Sequence, residues 1–246
     1  MSKLTDAELA AMPPKSVRYP EEVKLYQEHD FLTAYALHTD KRIAETGYKA
    51  AIGGGENWEE HGNLQRDFLI SRGLKMWHTL LDVGCGTGRL ARKIVPYLET
   101  GRYVGLDISK SALKIAEQLA WEEHWMQMNV RFIHDNLTEY AGPLAVDFAW
   151  AFSVFIHLPL ENVRDIMDQV ARCLRCDGQL LFSYVPEDRS WRSGLKQFRH
   201  TINDYKSATG GAGLTFEDVP DWVMNTIGSH PRWAGSQRIA CARRIS

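Results

Sequence analysis

Leu80–Leu81–Asp82–Val83–Gly84–Cys85–Gly86–Thr87–Gly88 constrains this chain more than any other stretch. Two leucines and a valine read as the end of a buried strand. Glycines at alternate positions then turn the chain into a helix that the pattern starts near Arg89. A strand, a glycine-rich turn and a helix make the nucleotide-binding unit of a doubly wound α/β fold, with the ligand at the carboxyl ends of the strands. The frame here is G-x-G-x-G, whereas a dinucleotide fingerprint is G-x-G-x-x-G with its pyrophosphate on the helix N-terminus. Arg89 stands where the third dinucleotide glycine would fall, and Asp82 puts an acid beside the turn. An acid there repels a pyrophosphate and suits a cation, which disfavours an NAD-dependent oxidoreductase.

Three more strand ends follow in order. Tyr103–Val104–Gly105–Leu106–Asp107 closes a short apolar strand with a carboxylate, placed to accept hydrogen bonds from ribose hydroxyls. Val130–Arg131–Phe132–Ile133 reads as a third strand by its β-branched and aromatic content, and His134–Asp135–Asn136 follows it. Val146–Asp147–Phe148–Ala149–Trp150–Ala151–Phe152 is a fourth, running into Ser153–Val154–Phe155–Ile156–His157–Leu158. The series resembles the class I S-adenosylmethionine-dependent methyltransferases over roughly residues 78 to 186, including a helix, a turn and a fifth strand over 170–181. The resemblance implies S-adenosylmethionine as cofactor, with S-adenosylhomocysteine as product. It implies cofactor contacts from Asp82, Gly84, Cys85, Gly86, Gly88, Asp107, Ile108, Asp135, Asn136 and Phe152. In the family an acid at the place of Asp135 holds the adenine amino group, and the segment at Phe152 lies beside the sulfonium.

The expected fold is therefore Rossmann-like and doubly wound, a mostly parallel seven-stranded sheet with an N-terminal helical extension and a helical insertion after the fifth strand. Residues 1–75 are expected to form a helical cap or lid, and residues 76–246 the core. Thr5-x-x-Glu8 reads as a capping box, Pro20 as a first helical residue, and Gly73 as the stop of a helix from about Glu59 to Arg72. Gly53–Gly54–Gly55 before Trp58 suits either a lid over the cofactor or a plain linker. Trp191, Leu195, Phe198, Ile202 and Tyr205 recur at helical spacing, so the insertion is expected to be one amphipathic helix over 189–206, with Arg192, Lys196, Arg199 and Asn203 on another face that suits either a solvated charged side or a contact to a carboxylate or phosphate of the substrate. A late strand near 214–219, or alternatively around 222–227, and a last strand over 237–242 would complete the sheet.

Composition narrows the class. A net charge of −2 over 246 residues argues against a protein that grips phosphate backbones. No apolar run is long enough to span a bilayer. The first residues lack the basic and apolar regions of a secretory signal, and four unevenly spaced cysteines suit a reducing cytoplasm. Cys173-x-x-Cys176 has no second pair and no histidine at ligand spacing, so no metal is expected.

The implied chemistry is in-line transfer of a methyl group to an O or N of a small-molecule acceptor. His157, just past the fourth strand, is the candidate base for a hydroxyl; it equally reads as a packing histidine before Leu158–Pro159. No Asn/Asp-Pro-Pro-aromatic segment follows the fourth strand, no cysteine follows a proline, and Val185–Pro186–Glu187–Asp188 lacks a metal-binding Asp-Asn pair. These absences disfavour nucleobase-amine, pyrimidine-carbon and metal-dependent catechol subclasses. Methylation of protein or RNA, and a cofactor-binding module without turnover, remain alternatives. The acceptor and the oligomeric state are not legible.

Overall fold

Alternating side chains on short strands sort this chain into two cores, one on each side of a sheet. The computed structural model describes residues 3–17, 19–51, 55–134, 137, 144–220 and 237–245. The strands β1 (Thr79–Val83), β2 (Arg102–Asp107), β3 (Val130–His134), β4 (Val146–Ala151) and β5 (Leu174–Tyr184) run parallel in the order β3-β2-β1-β4-β5. Because successive residues of a strand face opposite ways, Leu81, Val104, Ala149 and Leu180 enter one cluster. Their neighbours Leu80, Tyr103, Phe148 and Leu181 enter the other.

Nine α-helices lie among the described residues. The N-terminal ones are α1 (Asp6–Ala11), α2 (Pro20–Glu28), α3 (Phe31–Thr46), α4 (Tyr48–Ala51) and α5 (Trp58–Ser71). Thr5 and Glu8 form the expected capping box on α1, and Pro20 opens α2. The short α6 (Ala91–Ile94) begins two residues later than the sequence suggests, because the glycine-rich turn continues through Leu90. Then come α7 (Lys110–Glu122) and α8 (Leu160–Cys173); α8 passes directly into β5, without the expected turn. Tyr26 and Phe31 join the first cluster, and Phe68, Leu69 and Ile94 the second.

After β5 the structure corrects one expectation. The segment expected as a single helix over 189–206 is a small sheet of β6 (Pro186–Glu187), β7 (Trp191–Gly194) and β8 (Gln197–Thr201), followed by the helix α9 (Ile202–Gly211). Gly194 ends β7 at a tight turn, and Thr201 caps α9 through a reciprocal pair of bonds with Asp204 (3.1 and 2.8 Å). A cap at 201 sets the helix start at 202, and the apolar spacing that mimics a helix is shared between a hairpin and a helix. The main sheet is completed by β9 (Glu217–Val219) and β10 (Arg238–Arg243), in the order β5-β10-β9, with β10 antiparallel to both neighbours. The alternative strand around 222–227 lies outside the described residues.

Arg192 on β7 fastens the N-terminal helices to this hairpin. Its guanidinium lies over the rings of Phe198 (5.0 Å), Phe31 (5.7 Å) and Tyr26 (5.9 Å), and it pairs with Glu8 at 3.6 Å. Cation–π contacts shielded from water contribute about 1–2 kcal/mol. Arg192→Met should therefore speed amide exchange in α1 and α2 by about tenfold and leave β1, β2 and β4 unchanged, as measured by hydrogen-exchange mass spectrometry.

Candidate active site

The turn after β1 holds its shape by bonds to the end of β2. The N–H groups of Gly84 and Cys85 both donate to the Leu106 carbonyl (2.7 and 3.0 Å). The Gly86 N–H donates to one Asp107 oxygen and the Ser109 N–H to the other, each at 2.8 Å. Gly84, Gly86 and Gly88 have φ of 68, 58 and 84°, a region that side chains disfavour. At Gly84 a β-carbon would also stand 2.5 Å from a methyl of Val154, so backbone and the loop after β4 approach closely there.

Asp82 is buried inside β1 and accepts a hydrogen bond from the Tyr103 hydroxyl at 2.6 Å. Removal from water pushes its carboxyl up to about 7, with Asp107 adding to the rise and Tyr103 and Arg89 opposing it. Burial likewise pulls the Arg89 guanidinium down to about 10, against the pull of Asp82. The Cys85 thiol is buried and held well above its ordinary range, so it is inert and contributes its backbone.

At the end of β4, Phe152 stacks on Trp150 (5.6 Å, 7° between planes), whose indole N–H donates to Gln65 of α5 at 2.9 Å. His157 ends a single 3-10 turn, Phe155–His157. Its Nδ1 lies 2.8 Å from the Lys196 carbonyl at the tip of the β7–β8 hairpin. A carbonyl only accepts, so Nδ1 carries the proton and Nε2 the lone pair. Burial, with Lys196 and Arg199 nearby, pulls the imidazole down to about 4 despite the carbonyl's opposing effect. It is neutral at physiological pH.

Asp82, Gly84, Cys85, Gly86, Asp107, Ile108, Phe152 and His157 all line one cavity of about 680 Å³, within the roughly 300–1,000 Å³ typical of small-molecule and cofactor sites. Gly88 is not in its wall; it shapes the turn beneath, against Ala116 and Leu119. Asp135 and Asn136 lie outside the described residues, as do Gly53 and Gly54. Trp58, considered as a lid, is instead buried at the start of α5, edge-on to Tyr48 and beneath Lys49, and does not line the cavity. Tyr35, Arg42, Gln65, Arg89 and Lys196 are among the further residues of its wall, and of these the sequence offers only Lys196 as a possible contact to substrate. For Gln65 the one signal is an amide at a buried position of an amphipathic helix. Among the described residues no group of three or more His, Cys, Asp or Glu is placed to hold a metal, and no helix is long and apolar enough to cross a membrane.

Residues 81–180 match the family model described as a methyltransferase domain. Over that segment the chain is similar to methyltransferase domains. It is 34% identical over 151 residues to a putative methyltransferase of Geobacillus sp. (strain WCH70), covering 61% of this chain and 55% of the relative. The fold is shared with the [4+2]-cyclase SpnF (TM-score 0.66, 18% identity, 88% and 97% of the two chains). It is also shared with 1,6-didemethyltoxoflavin-N1-methyltransferase of Burkholderia thailandensis, solved with bound 1,6-didemethyltoxoflavin and S-adenosylhomocysteine (TM-score 0.62, 18% identity, 86% and 89%). The chain spans between half and two thirds of the first curated relatives it matches.

The raised Asp82 carboxyl has a stability consequence. Its folded pKa, about 7, lies above the ordinary carboxylate value of about 3.9. The folded state therefore takes up a proton that the unfolded chain does not, and the contribution present at low pH is lost as pH rises through 7. Asp82→Asn should remove that loss, melting several degrees above the wild type at pH 8 and level with it at pH 4 in thermal denaturation.

Proposed function

We propose that the chain binds S-adenosylmethionine across the ends of β1, β2 and β4 and transfers its methyl group to an O or N of a small-molecule acceptor. The observation that carries this reading is the single cavity joining the glycine turn, Asp82 and Asp107 to His157. The residues present fit the cofactor. Asp107 uses one lone pair of each oxygen on backbone N–H groups and keeps others for ribose hydroxyls. Gln65 Nε2 is buried with no hydrogen-bond partner among the described residues; with Arg89 beside Asp82 it would meet the methionine carboxylate. Asp82 would face the ammonium group. Ile108, with Asp135 and Asn136, would hold the adenine.

Bound there, the cofactor supplies a methyl group that is already electrophilic. The chain's task is to orient a nucleophile and exclude water. His157 is the proposed base, since Nε2 holds its lone pair toward neutral and acidic pH and the Lys196 carbonyl prevents the ring from rotating. Residues 1–75 would cap the cavity, and the free cysteines suit a cytoplasmic protein.

Calorimetry with S-adenosylhomocysteine tests the cofactor assignment: micromolar-range binding is expected, weakened about ten- to hundred-fold by Asp107→Ala. Screening small molecules for transfer from radiolabelled cofactor tests the chemistry. On an acceptor so found, His157→Asn should lower turnover about 10²–10⁴-fold with cofactor affinity unchanged. The wild-type rate should stay level between pH 6 and 8 and fall only toward pH 4, where the imidazole takes its proton. Binding without turnover on any acceptor would favour the module reading.

A further inference from the structure

The acids on the cavity wall are Asp82, which is buried, and Asp107, which is partly exposed, at the strand ends, and Asp165, exposed on α8. Arg42 of α3 and Lys196 of the β7–β8 tip line the same cavity, together with Tyr35 and His157. Lys196 Nζ lies 5.6 Å from the Tyr35 ring centre, and the Tyr35 and His157 rings are 6.1 Å apart. Asp40 of α3 docks this helix beside the cofactor turn by accepting bonds from the Ser109 hydroxyl (2.5 Å) and the Ser111 N–H (3.2 Å).

What separates Arg42 and Lys196 from their neighbours is the lack of a counter-charge. Lys41 pairs with Glu21 and Glu45, Arg192 with Glu8, and Arg199 with Glu187. No described carboxylate lies within ion-pair distance of Arg42 or Lys196, and Glu22 attracts Lys196 only from farther away. Removal from water and the Arg42 charge together pull the Lys196 ammonium down to about 8. Two unpaired like charges held on a half-buried wall repel each other and gain from an anion between them. Both residues also fall outside residues 81–180, the segment that matches the family model.

We infer that Arg42 and Lys196 form an oxyanion seat, and that the acceptor is a small molecule carrying a carboxylate or phosphate group anchored there beside His157. This inference rests on the reading of the cavity as a methyl-transfer site.

The test is calorimetric titration of malonate and, separately, inorganic phosphate into the full chain saturated with S-adenosylhomocysteine, at matched ionic strength. One of the two should bind in the millimolar range or tighter, and which one binds better names the group. Lys196→Met and Arg42→Met should each weaken that binding about tenfold or more, with Lys196→Arg restoring most of it and S-adenosylhomocysteine affinity unchanged. A thermal midpoint near that of the wild type identifies the variants as folded. Failure of both anions to bind the wild type, or equal binding by folded variants, overturns the seat. Failure of S-adenosylhomocysteine to bind overturns the cofactor reading instead, and the same titrations on the free chain still judge the seat.

Discussion

The Asp107 carboxylate is the tie on which the site depends. It closes β2 onto the turn after β1 by receiving a backbone N–H from Gly86 and another from Ser109. Hydrogen bonds to a charged acceptor are stronger than neutral ones, and two of them on one carboxylate leave the turn little freedom. The positive φ of the three glycines is the conformation that lets the turn reach this acceptor. Ser109 continues the tie outward, since its hydroxyl caps α7 and also meets Asp40 of α3. One chain of polar contacts thus runs from the sheet through the turn to the N-terminal helices.

Holding acids in a cavity shielded from water raises their proton affinity, and here it does so at Asp82 and Asp107. Such groups are costly to keep ionised and become less so when a cation arrives. The site is therefore electrostatically unfinished on its own, since its wall carries these acids together with Arg42 and Lys196, which have no ion-pair partner among the described residues. A ligand with both signs of charge would meet the acids, and an anionic one the two cations.

The strand-end residues of this site are legible in the sequence because local pattern alone places them. Asp82, Asp107, Phe152 and His157 each stand at or just beyond the end of a short apolar run, and parallel pairing brings such ends to one edge. Tyr35, Arg42, Gln65 and Lys196 are not legible that way. Their helices and hairpin reach the cavity through tertiary contacts, such as Asp40 on Ser109 and Arg192 among three rings, that no local period reports. The insertion misleads for a related reason: side chains three and four apart suit a helix, but Gly194 and the Thr201–Asp204 pair divide the same residues between a hairpin and a helix.

At the hairpin tip, the peptide of Lys196 and its side chain have separate tasks. The carbonyl selects the tautomer of His157, while the ammonium lies 5.6 Å from the ring centre of Tyr35, another residue of the cavity wall. A carbonyl is common to all twenty residues, so replacement at position 196 changes what the cavity attracts without changing how the imidazole is held. On the proposed reading, acceptor preference can drift in descendants of this chain by single codon changes at one loop position, with the hold on His157 inherited intact.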